Sequence, residues 1–565
     1  MPILALAVFG GLLWSLCFGV TPRPALGFVA LVPFVLLTRH RPRRAALFGW
    51  LHGTAFWLAS VVWIAPTVSR FSGMPPGPAT DAMGVVAVLL ASLYLGLYDA
   101  LAAWLAAHVW SRPDRASATA APPPPRAQDQ LRLIAGIAAA WTLVAWMREF
   151  VLGGFPWNLA AYAWTDLPGA LPLAAWLGAQ GVGAVLVMGN VALALFVVGA
   201  RGGRFTAGFA IGTALLLLAL AGRFSHAPEA RPFDGGVQRA AEGVPTWANP
   251  AGDPRSAPRI HAPVTLVQPN IPVRQAVDEA ARADYQRLLT MSHRACDGQP
   301  RLLLWPESAA WPQDYARSAR LRDDLARLAA RGCTVLINTP MRRDADDAFT
   351  NSTLLIDDSG IIGRYDKRRL VPFGEFVPLG DRLPFLRQLA RSVGSGFVPG
   401  AGLGLMRWTS RGPVAAEHVI GTALCYEVVF PRAVAAQVRG GASVLVTLTN
   451  DAWYGNSSAP HQHLRAARFR AAETRRPLLR AAITGISATV DARGQLVDQL
   501  GVGETGTISA QLQQPAAHLS PYVRAPWLVP AASMVALAAA IAFANIRRRS
   551  HSSATRHPTI DQETS

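Results

Sequence analysis

The sequence predicts a two-part chain: a multi-pass α-helical membrane domain of about eight spans, and a polar α/β domain of about 260 residues lying between the last two spans. Three observations carry this. Of 565 residues, 51% are hydrophobic and only 16% charged, which is too apolar for an ordinary soluble chain. The apolar runs crowd residues 1–222 and return once, at residues 527–546. From Val264 onward, short β-rich runs alternate with helical patterns instead.

Taken in order, seven runs approach the roughly 20 apolar residues that cross a bilayer: residues 3–20, 25–38, 45–65, 84–110, 133–152, 178–198 and 205–222. The second is short, and the apolar stretch 167–200 exceeds one crossing, leaving room for a shallow helix before the sixth span. The first run lacks a basic leader and is followed at once by another apolar run, so it reads as an uncleaved anchor. Arg39, Arg41, Arg43 and Arg44 follow span two, Arg112, Arg115, Arg126 and Arg132 follow span four, and Arg201 and Arg204 follow span six. Positive charge stays on the cytoplasmic side, so both termini are expected there and the polar domain outside. Arg547, Arg548 and Arg549 stop the eighth span.

The expected units are a transmembrane domain at 1–222, a Pro/Gly-rich tether at 223–263, an outer domain at 264–522, a last span at 523–549 and a cytoplasmic tail at 550–565. Residues 116–126 read as a cytoplasmic linker. Few ionisable residues fall inside the spans: His52, Asp99, and the neighbours Arg148 and Glu149; Asp99 has no evident partner in sequence. In the outer domain, residues 264–268, 301–305, 334–338, 352–356, 360–365, 419–424 and 443–449 read as strands, with a hairpin turn at Asp357-Asp358-Ser359-Gly360. Residues 277–295, 315–330 and 463–475 read as helices.

The formal charge of +18 raises nucleic acid, but no basic stripe with interleaved aromatics is present, and much of the excess sits in short loops beside apolar runs. Four cysteines are too few for a disulfide scaffold. Cys17 lies in the first apolar run, so at least one of Cys296, Cys333 and Cys425 stays unpaired within the outer domain.

One residue is singular. Lys367 is the sole lysine among 53 Lys+Arg residues, and an ammonium, unlike a guanidinium, is a compact charge that fits beside a reacting atom. Two apolar runs also end in reactive side chains: Leu302-Leu303-Leu304-Trp305-Pro306-Glu307 and Thr422-Ala423-Leu424-Cys425. Alone, each has a bland reading as a solvated turn, a surface charge or a small core thiol. Together Glu307, Lys367 and Cys425 supply base, oxyanion partner and nucleophile for acyl transfer through a thiol. A neighbouring ammonium is expected to favour the thiolate.

These residues stand in motifs: Val264-Thr265-Leu266-Val267-Gln268-Pro269-Asn270-Ile271, Trp305-Pro306-Glu307, Tyr365-Asp366-Lys367 with Val371-Pro372-Phe373-Gly374-Glu375, Cys425-Tyr426-Glu427, and Thr449-Asn450-Asp451-Ala452-Trp453-Tyr454-Gly455. The set resembles the Glu-Lys-Cys enzymes of the nitrilase superfamily. With the spans around it, and Gly154-Phe155-Pro156-Trp157 between spans five and six, the chain resembles the bacterial apolipoprotein N-acyltransferase family over nearly its full length. The resemblance implies a nitrilase-like αββα sandwich on the periplasmic face of the inner membrane. It implies Glu307 as general base, Lys367 as oxyanion cation and Cys425 as nucleophile, supported by Glu375, Tyr426 and Glu427. It implies a phospholipid acyl donor, a diacylated apolipoprotein acceptor, no cofactor or metal, no nucleic acid, and a monomer. In that family the Gln-x-Asn-Ile-Pro segment leads to a tryptophan; the corresponding position here is Val277, a departure from the pattern. A membrane-tethered amidase using water would share the three residues without explaining eight spans. A transporter with an outer binding domain is disfavoured by the sparse intramembrane charge and lack of repeats. Residues 380–402 read as an amphipathic lid or a packed surface helix.

Overall fold

Hydropathy and helix breakers together shape the first part of the chain. The computed structural model describes residues 2–21, 23–71, 77–110, 127–198, 236–239, 262–274, 276–343, 348–378, 396–411, 415–512 and 518–554, with positions 208, 212 and 219. The linker 116–126, nearly all of the expected span 205–222, and most of the tether and of the lid segment therefore lie outside the described residues. Among the described residues, seven helices open the chain: α1 (Pro2–Ser15), α2 (Val32–Leu37), α3 (Pro42–Ser60), α4 (Ile64–Phe71), α5 (Pro78–Val109), α6 (Ala127–Met147) and α7 (Ala170–Val198).

Four helices among the described residues are long and apolar enough to cross a membrane: Pro78–Val109, Asp129–Met147, Ala170–Val198 and Leu528–Arg547. Pro42–Ser60 with Ile64–Arg70, bent by 55°, makes a fifth if the pair is one span. The runs expected at 3–20 and 25–38 form only the shorter apolar helices Ile3–Phe18 and Pro24–Leu37. Their prolines explain the second: Pro24 and Pro33 each start a new helical turn, and at 1.5 Å per residue the segment reaches about 21 Å of a roughly 30 Å hydrocarbon core.

On α5, Val86, Leu90, Leu93 and Leu97 recur at helical spacing and stay exposed, an apolar stripe suited to lipid. The opposite face meets α3 through small residues. A Cβ at Gly49 would lie 2.5 Å from that of Ala103, and one at Gly96 2.6 Å from Thr54 Oγ1, so backbones approach as only glycine allows. Helix α7 is broken at Gly178 (φ 68°, ψ 174°), where the ring of Tyr522 fills the space a side chain would take. Asp99 does have partners: Trp57 Nε1 donates to it at 3.3 Å, and His52 Nδ1 lies 3.8 Å away.

The outer part is a two-sheet sandwich. Its elements are β1 (Gly236–Arg239), β2 (Ala262–Gln268), α8 (Glu279–Ala295), β3 (Arg301–Leu304), α9 (Ala319–Ala330), β4 (Cys333–Arg342), β5 (Phe349–Asp357), β6 (Gly360–Asp366), β7 (Met406–Ser410), β8 (Ala416–Thr422), α10 (Pro431–Arg439), β9 (Val444–Thr449), α11 (Ala459–Thr474), β10 (Leu478–Ala482), β11 (Ser487–Val490), β12 (Leu496–Leu500) and β13 (Gly506–Leu512). Short α12 (Pro521–Arg524) and long α13 (Leu528–Ala554) follow. One sheet has the order β1-β13-β2-β3-β4-β5-β6, the other β12-β11-β10-β9-β8-β7. β2, β3 and β4 run parallel, as do β8, β9 and β10. Edge strand β1 lies inside the expected tether and pairs antiparallel with β13.

Alternation within the apolar strands builds the layers. Leu302 and Leu304 face the inter-sheet core with Leu266, Ile420, Val446 and Leu448, while Leu303 turns outward to Leu288, Leu325 and Leu328 of α8 and α9. The second sheet turns Leu445 and Leu478 toward α10 and α11, and that cluster runs on without a break into Trp57, Leu186 and other residues of the membrane helices and into Trp157 of the segment between α6 and α7. Every residue of α11 except His461 is buried. Cys296, which caps α8, is bonded to Cys333 at the start of β4, leaving Cys425 free.

Candidate active site

Parallel strands deliver side chains to their carboxyl ends, and the candidate site forms there. Glu307 follows β3, Lys367 follows β6 and Cys425 follows β8 in a 3-10 turn, Cys425–Val429. All three are buried, with exposures of 6%, 1% and 6%. Lys367 Nζ lies 3.3 Å from Glu307 Oε1 and 2.8 Å from Glu375 Oε1. Asn351 of β5 bridges the same oxygens, donating from Nδ2 at 3.2 Å to Glu307 and 2.8 Å to Glu375, and is itself held by Asn338 at 2.6 Å. Backbone N–H groups of Asn450 and Val371 fix the outer oxygens of Glu307 and Glu375 at 3.1 and 2.8 Å.

Two carboxylates around one ammonium leave the cluster short of positive charge. Burial works against the charge on Lys367, yet Glu307 and Glu375 hold its ammonium well above the ordinary lysine range. Burial, seconded by Glu307, pushes the Cys425 thiol far up, and Lys367 offsets this only in part. Lys367 thus favours the thiolate, as expected from the sequence, but burial and Glu307 outweigh it and the resting sulfur keeps its proton.

Cys425 has φ +49°, a left-handed conformation rare for a side-chain-bearing residue and typical of strained functional turns. Glu427 braces it. One carboxylate oxygen accepts from Leu424 N (2.9 Å) and the Tyr365 hydroxyl (2.7 Å), the other from Arg368 N (2.8 Å) and Arg369 N (2.9 Å). Glu427 thus ties the nucleophile turn to the backbone following Lys367. Tyr426 points the other way: its hydroxyl donates to Gly154 O at 2.7 Å, and its ring stacks with Phe155 and Trp157 of the membrane half.

Behind the sulfur lies a polar group of which the sequence motifs contained Thr449 and Asp451 without assigning them a role. Thr449 Oγ1 is 3.2 Å from Cys425 Sγ and 2.8 Å from Asp451 Oδ1. Asp451 Oδ2 accepts from Arg480 at 2.6 Å, and His463 Nε2 lies 3.0 Å from the carbonyl oxygen of Cys425. Thr449, Asp451, His463 and Arg480 are at most 1% exposed. Val277 stands 59% exposed ahead of α8.

Residues 263–522, the sandwich at whose strand ends Glu307, Lys367 and Cys425 lie, match the family model described as carbon-nitrogen hydrolase. Residues 10–192 match the apolipoprotein N-acyltransferase N-terminal domain. The chain is 31% identical over 563 residues to the apolipoprotein N-acyltransferase of Methylococcus capsulatus, covering 98% of each. With that of Geobacter metallireducens it shares 32% over 506 residues, 87% of this chain and 85% of the relative. The chain belongs to the apolipoprotein N-acyltransferase family. Among solved structures it is similar to the nitrilase-superfamily member Nit3 of Saccharomyces cerevisiae (19% identity, 45% of this chain and 90% of that one, TM-score 0.34). An amidase from Nesterenkonia sp. matches with 18% identity, coverage of 47% of this chain and 92% of that one, and TM-score 0.32.

Proposed function

We propose that this membrane protein transfers a fatty acyl chain from a phospholipid, through a thioester on Cys425, to the α-amino group of the N-terminal diacylglyceryl-cysteine of lipoproteins. The observation that carries the reading is a buried free thiol whose neighbour Tyr426 is bonded to the membrane half, with Glu307 and Lys367 gathered at the same strand ends.

In the first step Glu307 takes the thiol proton as sulfur attacks the ester carbonyl carbon. The oxyanion that forms is met by Lys367 Nζ and a backbone N–H beside Cys425, a kind of donor worth roughly 10² to 10³ in rate. The carbon–oxygen bond breaks, the glyceryl oxygen leaves with the proton from Glu307, and the acyl group remains on sulfur. In the second step the lipoprotein amine attacks the thioester, Glu307 takes its proton, an amide forms and the sulfur departs, regaining the proton. Glu375 and Asn351 keep Lys367 and Glu307 in register throughout. Burial of the thiol, 6% exposed, keeps water from the thioester, which favours transfer over hydrolysis.

The same reading takes about eight spans, the five units laid out from the sequence, a bilayer setting in the inner membrane with the catalytic domain periplasmic, both termini cytoplasmic, and a monomer. The Cys296–Cys333 disulfide supports an oxidising compartment for the outer domain. Intact-mass measurement after incubation with phospholipid tests the chemistry: a hydroxylamine-labile acyl adduct is expected on Cys425 and none on Cys425→Ala. An adduct elsewhere, or turnover without any, refutes the thioester. Offered a diacylated lipopeptide, the protein adds a third chain to the amine; release of fatty acid or ammonia alone would mark an amidase.

A further inference from the structure

Thr449, the last residue of β9, touches the sulfur of Cys425 and the carboxylate of Asp451 with the same oxygen. A hydroxyl carries one proton and two lone pairs, so it cannot donate to both at once. Ionised Asp451 can only accept: burial opposes its charge, but the Arg480 guanidinium holds its carboxyl well below the usual range. In the resting site Thr449 therefore donates to Asp451, and its lone pair faces a sulfur that is satisfied only while it keeps its own proton.

Deprotonation reverses that relation. Once Glu307 has taken the thiol proton, a Thr449 lone pair aimed at sulfur faces a negative charge. Rotation about the Cβ–Oγ bond brings the hydroxyl proton to the thiolate and leaves Asp451 held by Arg480 through its other oxygen. Resting on the thioester chemistry proposed above, we infer that Thr449 is a further catalytic residue, whose hydroxyl proton turns from Asp451 to the Cys425 sulfur whenever that sulfur is anionic. The thiolate arises twice per turnover, as nucleophile and then as leaving group, so one rotor serves both half-reactions without any net change in protons.

Other charged or titratable groups also face this sulfur: Glu307 after β3, Lys367 after β6, Tyr454 in the turn after β9, and Asp451 itself. His463 of α11 holds the Cys425 carbonyl, burial and Arg480 keeping its imidazole below the ordinary range and hence neutral. Among these neighbours Thr449 is the hydroxyl within hydrogen-bond reach of sulfur. Two residues earlier on the same strand, Thr447 is equally buried but its hydroxyl has no partner among the described residues, which supplies an internal control.

The test uses the full-length protein in detergent, with Thr449→Val, Thr449→Ser and Thr447→Val. Alkylation of Cys425 by iodoacetamide is followed by peptide mass from about pH 6 to 10, beside acyl-adduct formation from phospholipid micelles. Thr449→Val is expected to slow alkylation about tenfold at each pH, as a rise of about one unit in a thiol pKa above this range requires, and to slow adduct formation about tenfold. Thr449→Ser returns both to within about twofold of the parent, and Thr447→Val leaves both unchanged. A valine profile that overlays the parent, or a serine variant that behaves as valine does, overturns the inference. If valine does not fit the site, Thr449→Ala against Thr449→Ser makes the same comparison. A parent protein that never acylates Cys425 refutes the proposed function, whereas a parent that acylates while its Thr449 variants keep the parent's pH profile refutes only the role of Thr449.

Discussion

Lys367 shows at the scale of one residue why charge alone does not define a site. Its ammonium sits 1% exposed between Glu307 and Glu375, a slot sized for one nitrogen. Lys367→Arg keeps the charge but brings a planar fork, and is expected to lower acyl-adduct formation at least about 10²-fold by intact mass. Turnover near that of the parent would reduce Lys367 to a structural charge. Asn351 is the opposite kind of residue. It bridges both glutamates, yet the sequence hides it in Thr350-Asn351-Ser352-Thr353, a polar run inside a buried strand whose burial is the signal that marks it out. Asn351→Ala is expected to cost about tenfold in kcat, with KM for phospholipid little changed, since the carboxylates lose their spacer and not their substrate contacts. Glu307, Lys367 and Cys425 were legible because each ends an apolar run or is compositionally alone. Thr449 was not, because a threonine in a strand ordinarily signals only β propensity.

Among the elements, apolar parallel strands and long apolar helices could be read directly, since continuous burial leaves a continuous pattern. The strands that escaped notice have physical reasons. β12 is a short edge strand whose centre is the polar pair Asp498-Gln499, β13 alternates polar and apolar residues next to an edge, and β10 carries Arg480 into a fully buried position made tolerable by Asp451 and the Ile486 carbonyl. Helix α11 looks like a surface helix by its arginines but is enclosed. Arg470 pairs with Glu473 at 2.7 Å, Arg468 with Asp166 at 2.5 Å, and Arg465 donates to the Gly19 carbonyl at 2.5 Å. The break in α7 is a second case. Gly178 frees the N–H of Ala179, which Glu473 of α11 accepts at 2.6 Å, so the kink is matched by a carboxylate from the other half of the chain. Gly178→Ala puts a Cβ against Tyr522 at positive φ and is expected to lower stability by about 2 to 4 kcal/mol, read by thermal unfolding in detergent. An unchanged midpoint would mean that α7 straightens freely.

For the whole molecule, the important fact is that the membrane helices and the sandwich share one apolar cluster. Gln462 of α11 fastens them, accepting from Trp63 Nε1 (3.2 Å) and Trp157 Nε1 (2.7 Å) and donating to the carbonyls of Phe18 and Ser60, both at 3.0 Å. Gln462→Leu keeps the volume but strands those groups in a buried site, and is expected to destabilise by about 3 kcal/mol while leaving a single unfolding transition. Two separated transitions would show that the halves are independent. The enclosure of α11 also bears on how the protein comes into being. The sheet that carries Cys425 completes its outer helical layer against the membrane helices, so the candidate site is finished only where those helices stand. On the proposed function this gives biosynthesis a checkpoint: the thiol proposed to carry the acyl group is enclosed only beside the membrane helices, and a chain whose helices do not pack does not complete the site.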